Sequence, residues 1–205
     1  MTAPSRRDEH KELTHRALLD AAARQFADHG FAETPIDAVA RAARVSKGAV
    51  YYHFADKAAL FEAVYRDQQE RLLGRVAGVA GRRGDPWDRL DAVLAAYLEG
   101  TLADATQCAL LRQAPAALGS ARCREIDGEL AVAMVTDILL GPERTGRLRP
   151  EAGEVLARVL LAATREAALT AAASPERSAA RREAAAVLAA LTSGLRRPSR
   201  RAVPD

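Results

Sequence analysis

The chain has 205 residues, 49% of them apolar and only 4% aromatic, and its 30 basic against 27 acidic side chains leave a net charge of +3. That apolar share supports a sizeable core, the heavy use of alanine with few rings makes it a core of closely spaced helices, and so small a charge does not by itself point to nucleic acid. Two cysteines are too few for a disulfide framework, no apolar run reaches the roughly 18 residues of a membrane helix, and no signal segment opens the chain, so a soluble cytoplasmic protein is expected.

Residues 1–10 are polar and read as a frayed segment, in which Arg6 and Arg7 either reach a DNA backbone or the minor groove or stay solvated. From about Lys11 to His29 the spacing predicts a helix, with Leu18, Ala22 and Phe26 at four-residue steps and Gly30 as its stop. Thr34, Pro35 and Asp37 then read as a capping box with proline at the first helical position, opening a short helix through Ile36, Val39 and Ala40. Ala43-Arg44-Val45 breaks it, and Ser46 is a second N-cap before Lys47-Gly48-Ala49-Val50-Tyr51-Tyr52-His53-Phe54. Two short helices around so brief a turn make a helix-turn-helix over about 34–53. The first turn of its second helix, Ser46 to Ala49, presents backbone N–H groups, a hydroxyl and an ammonium with almost no bulk. Tyr51, Tyr52 and His53 place three polar-tipped rings in succession and Lys57 adds a cation, a set suited to phosphates, while Phe54 reads as core.

Asp56 caps a long helix from Lys57 into the low seventies, carrying Leu60, Phe61, Val64 and Tyr65 on one side. Gly78 to Pro86 is a break. Helices follow from Trp87 to an end near Gly100 to Asp104, from about Ala105 to Ala114 with Pro115 as the stop, and from Ser120 to Leu140 with Gly141-Pro142 closing it. After a loop at 146–150, two long helices finish the chain, about Glu151 to Ala173 and Pro175 to Ser193. Their Ala, Leu and Val faces exceed what one small bundle needs, which points to a four-helix contact between two copies. The segment 196–205 is a basic tail read as disordered. No strand alternation appears, so the fold class is all-α with about nine helices.

The run from Thr14 to Phe61, T-x-x-x-L-L-D-A-A-x-x-x-F-A-x-x-G-F-x-x-T-x-I-x-x-V-A-x-x-A-x-V-S-K-G-A-V-Y-Y-H-F-x-x-K-x-x-L-F, resembles the N-terminal DNA-binding domain of the TetR family of repressors. The resemblance implies a DNA-binding domain over 1–56, an effector-binding and dimerisation domain over 57–195, and Ser46 to His53 as recognition helix. It assigns Thr34, Lys47, Tyr51, His53 and Lys57 mainly to phosphates, and Lys47, Ala49 and Tyr52 to base edges. Arg44 stands where that family usually has glycine, so either the turn bears a left-handed non-glycine or its geometry differs. Pro35 replaces a common hydroxyl, and Gln25 a common leucine.

The same resemblance implies a homodimer joined by its last two helices, a palindromic operator in double-stranded DNA, repression, and release by a small-molecule effector held in the middle helices. Trp87, Leu94, Tyr97, Leu98, Leu111, Arg112, Met134 and Thr164 are the candidate effector residues. Arg112, among leucines and alanine, meets an anionic ligand, pairs with a carboxylate or faces solvent. No cofactor, metal or membrane partner is expected. Glu125, Asp127 and Glu129 diverge on a helix, and the four histidines are not paired with cysteine at zinc spacing. Cys108 and Cys123, on two different helices, are core residues or a redox switch. The sequence lacks G-x-S-x-G, H-E-x-x-H and a phosphate-binding glycine loop, so an enzyme is not expected. The alternative is a helical ligand-binding or scaffold protein with weak or lost DNA binding.

Overall fold

The computed structural model describes residues 5–81, 84–140 and 149–196, and every regular element among them is helical. In chain order these are α1 Arg6–His29, α2 Ile36–Ala42, α3 Lys47–His53, α4 Lys57–Ala80, α5 Pro86–Ala103, α6 Ala105–Leu118, α7 Ser120–Asp127, a π turn Gly128–Val132, α8 Ala133–Leu140, α9 Pro150–Ala173 and α10 Arg177–Arg196. The π turn joins α7 to α8 without a break, so among the described residues there are nine rods, in line with the all-α expectation. Of the loop expected at 146–150, Arg149 and Pro150 are described and open α9 as its N-cap and first residue, and of the tail expected from 196, Arg196 is the last residue of α10; the rest of both lies outside the described residues.

The chain divides into two compact units, one holding the residues up to Leu72 with Ala103–Leu130, the other Leu73–Leu102 with the residues from Ala131 onward. The boundary expected at 56/57 marks the start of a helix rather than an edge of either unit. In the first unit α1 begins earlier than expected, because Ser5 and Asp8 form a capping box in which each side chain meets the other's backbone N–H. Its core joins Leu18, Ala22 and Phe26 of α1 to Val39, Val50, Leu60 and Phe61. The Phe26 and Phe61 ring centroids lie 5.1 Å apart, with Phe31 packed on both. Gly30 ends α1 at φ 84° and ψ 160°, a region open essentially to glycine alone.

The start of α2 corrects the sequence reading. Thr34 is completely buried, and its hydroxyl donates to the carbonyls of Gly30 at 2.7 Å and Gln25 at 3.1 Å instead of accepting from α2. Gly30 is the C-cap of α1 and its carbonyl lies beyond the helix's own ladder, so the buried hydroxyl four residues on is drawn to it. Pro35 becomes the N-cap and α2 starts at Ile36 with no side-chain cap.

Gln113 of α6 holds this unit from the far side, its Oε1 accepting from the Phe31 N–H at 2.7 Å and its Nε2 donating to the Phe26 carbonyl at 2.9 Å. Helix α6 runs three residues past Pro115, which costs only the bond to the carbonyl four back, and Gly119 at φ 84° ends it. Between α4, α6 and α7 a buried polar chain passes from Gln107 through Gln69 to Tyr65 and Asp127, with steps of 2.8 to 2.9 Å.

In the second unit, α4 runs on to Ala80 rather than stopping in the low seventies. Helix α5 turns Trp87, Leu90, Leu94, Leu98 and Thr101 inward on one stripe. The α10 residues Arg181 and Arg196 pair with Glu99 of α5 and with Asp85 and Asp88 at its start. Helix α9 packs along both α8 and α10.

Candidate nucleic-acid interface

Helix α3 is set by a tight turn. Arg44 adopts φ 58°, the left-handed conformation, with its N–H on the Arg41 carbonyl at 3.1 Å and the Val45 N–H on the Ala40 carbonyl at 3.0 Å. Those two bonds are a Schellman closure built on a non-glycine residue. Of the two alternatives left open by the sequence, the turn bears the strain and keeps its geometry. Ser46 then caps α3, its Oγ accepting from the Ala49 N–H at 3.2 Å.

One side of α3 anchors it in the core, and the other faces solvent. Val50 and Phe54 are buried, whereas Tyr51 and Tyr52 are 49% and 71% exposed. A Cβ added at Gly48 would meet only Ser46 Oγ, at an ordinary 3.8 Å, so internal packing does not require glycine there. Lys47 is exposed and its Nζ lies 3.0 Å from Asp37 Oδ1 on α2. The hydrogen bond to Asp37 raises the ammonium above its ordinary pKa, so the cation is fixed but carries a partner that the sequence did not reveal. Lys57, also expected to be a phosphate cation, donates to the Ala32 carbonyl at 2.9 Å and sits 4.7 Å from the Phe31 ring centroid.

The α3 helix therefore brings Ser46, Lys47, Gly48, Ala49, Tyr51, Tyr52 and His53 together, with Arg44 exposed beside them in the turn. Thr34 is not at this surface; it supports the surface from below. Sequence reasoning missed Lys11 of α1, whose Nζ stands 5.7 Å from the centroid of the Tyr52 ring. The backbone of Arg6 and Arg7 is the first turn of α1, and their side chains lie outside the described residues.

The candidate effector residues are divided between the two units. Trp87, Leu94, Tyr97, Leu98, Met134 and Thr164 belong to the second unit, Leu111 and Arg112 to the first. Leu111 is fully buried there and Arg112 is exposed, the last of its three alternatives. In the second unit Thr164 and Thr192 give their hydroxyls to the carbonyls one turn back, at 2.8 and 3.2 Å. Thr101 Oγ1, Thr136 Oγ1 and Asp91 Oδ1 are buried with no hydrogen-bond partner among the described residues, a feature of side-chain direction that sequence spacing does not reveal. Glu125 pairs with Arg122, Asp127 accepts from the Tyr65 hydroxyl, and Glu129 pairs with Arg66 and, at 4.0 Å, with the same Arg122. Cys108 and Cys123 sit on α6 and α7, half-buried and buried. No helix among the described residues is long and apolar enough to cross a membrane.

Residues 18–64 match the family described as bacterial regulatory proteins, tetR family, and residues 87–195 match the tetracyclin repressor-like C-terminal domain. The chain belongs to the TetR family. A TetR-family transcriptional regulator of Pectobacterium atrosepticum resembles it with a TM-score of 0.75 and 26% identity, over 95% of this chain and 100% of that one. A helix-turn-helix transcriptional repressor of Mycobacterium tuberculosis is 37% identical over 81 residues, 40% of this chain and 41% of its own. The probable acrEF/envCD operon repressor of Escherichia coli is 35% identical over 100 residues, 48% of this chain and 46% of its own. This TetR-family chain thus spans less than half the length of those two repressors.

Proposed function

We propose that the chain is a cytoplasmic transcriptional repressor that binds a palindromic operator as a homodimer and is released by a small-molecule effector. The observation that carries this reading is the solvent-facing side of α3, where Tyr51 and Tyr52 stand exposed beside Lys47 on a capped helix-turn-helix. Rings left outside a core cost apolar exposure and are retained where a partner covers them. Arg44, Lys47, Tyr51 and His53 serve the phosphates, and Ala49 and Tyr52 with Lys47 the base edges. Thr34 acts by holding the end of α1, and Lys57 by holding the loop at Ala32.

A two-fold pair follows from the geometry of duplex DNA, since one helix of this size covers few base pairs and two must enter major grooves about 34–36 Å apart. Support for the pair lies on α9 and α10. Val155 and Val159 on the first, and Val187, Leu191 and Leu195 on the second, are all exposed at four-residue steps, with Val155 at 61% and Val187 at 57%. Two such helices from each copy close a four-helix contact. For the effector, the unpartnered oxygens of Asp91, Thr101 and Thr136 favour a ligand carrying hydrogen-bonding groups over a purely apolar one.

A mobility-shift assay with the DNA upstream of the protein's own gene tests the reading. A specific complex that Lys47→Ala and Tyr51→Ala weaken without unfolding the chain supports it; equal binding by both variants removes α3 from the interface.

A further inference from the structure

Three of the chain's four histidines gather where α1 passes the end of α3. A cleft of about 510 Å³ opens there, lined by Asp8, His10, Lys11 and Thr14 of α1 and by Tyr52 and His53 of α3. The His53 ring lies 5.5 Å from the His15 ring and 5.3 Å, edge to face, from Tyr52. The lining groups are not equally available. Asp8 is engaged with Ser5 at the N-cap, and Thr14 gives its hydroxyl proton to the His10 carbonyl at 2.9 Å. Lys11, His10, His53 and the Tyr52 hydroxyl are the other donors of the lining.

The charges around His53 come from α1 and work against a cation. Burial holds the imidazole below its ordinary pKa, His15 and Lys11 push the same way, and Glu12 opposes them. An empty cleft therefore keeps His53 neutral at physiological pH. An anion in the cleft would reverse that balance, because an opposite charge accepting a hydrogen bond favours the protonated ring.

The position also selects the kind of anion. Helix α3 spans seven residues, about 10 Å at the usual rise, with its small-residue first turn at the end away from the cleft. When that first turn meets base edges, the cleft meets the backbone flanking them.

Resting on the DNA-binding reading above, we propose that this cleft seats a backbone phosphate of bound DNA and takes up a proton at His53 as it fills. Lys11 and His10 then become DNA-contacting residues on α1. A phosphodiester is an anion at every working pH, so any proton taken up on binding goes to the protein, and His53 sets the sign. Its pKa is higher in the complex than in the free chain. Above the complex's value neither form carries the proton and pH has no effect. Between the two values affinity rises as pH falls, by up to about tenfold per unit for one proton. Below the free chain's value the effect saturates.

The test is fluorescence anisotropy of a labelled, mixed-sequence DNA duplex with the full chain at low, fixed salt across pH 5.5 to 8.5, the range about an ordinary histidine pKa of ~6.5. Wild type should bind more tightly as pH falls, and His53→Gln should flatten that slope. Lys11→Gln should weaken binding and lower the salt slope by about one while a pH dependence remains, its range moved up because Lys11 no longer pushes the His53 pKa down. Nuclear magnetic resonance titration of the His53 ring in the unmutated chain supplies a readout independent of any variant: its pKa should rise when the duplex is added. Binding whose pH slope is unchanged in His53→Gln, or a His53 pKa that does not move, overturns the proposal and leaves the DNA-binding reading standing. A duplex that never binds at any pH removes both.

Discussion

Lys47 of α3 and Asp37 of α2 meet across the helix-turn-helix, Nζ to Oδ1 at 3.0 Å, and both side chains are about half exposed. The pair orients an ammonium at the first turn of α3 and sets a carboxylate beside it, where the proposed function puts the DNA phosphates. Asp37→Asn should therefore raise affinity for mixed-sequence DNA, on the order of a few-fold, and steepen its salt dependence, because Lys47 keeps its charge and loses its competitor. Titration of a labelled duplex at two salt concentrations measures this.

Thr34→Val should separate support from contact. The substitution keeps the shape of the buried side chain and removes the bonds to Gly30 and Gln25. We expect a loss of about 1–3 kcal/mol in urea unfolding, with DNA affinity of the folded protein near that of wild type. A large fall in affinity with unchanged stability would return Thr34 to the contact surface.

Arg44→Gly should act in opposite directions on stability and binding. At φ 58° an arginine is strained by roughly 1 kcal/mol that glycine does not incur. The thermal midpoint should rise while DNA affinity drops and the salt slope falls by about one.

Charge placed on the exposed valine and leucine rows should separate the copies. Val159→Glu and Leu191→Glu stand on α9 and α10, where both wild-type side chains are exposed. Light scattering should give the mass of two chains for wild type and of one for either variant, and DNA affinity should fall with the loss of the second recognition helix.

The helix-turn-helix was legible because its signals are local: Ser46 caps within three residues, Gly30 stops α1, and the Tyr51-Tyr52-His53 run departs from a core pattern. Thr34 was misread for the same reason, since a local capping pattern does not reveal the nearby end of another helix that competes for the hydroxyl. Gln113 was illegible because its partners are 82 and 87 residues away in the chain, and with it went the membership of α6 in the first unit. Pro115 looked like a stop because proline's cost is real, yet it falls on one bond near a helix end. The π turn at Gly128–Val132 steps the inward face from Ile126 to Ala131 and Val132 and leaves Leu130 half-buried, a shift of register that the four-residue apolar spacing did not reveal.

The central claim is that two copies place their α3 helices on a two-fold operator. Footprinting of the DNA upstream of the protein's own gene, with the bound stoichiometry counted on the same fragment, tests it most directly. We expect two protected half-sites related by a two-fold axis, their centres one duplex turn or a multiple of it apart, with two chains bound together. A single protected half-site holding one chain, or sequence-independent protection along the whole fragment, would contradict it.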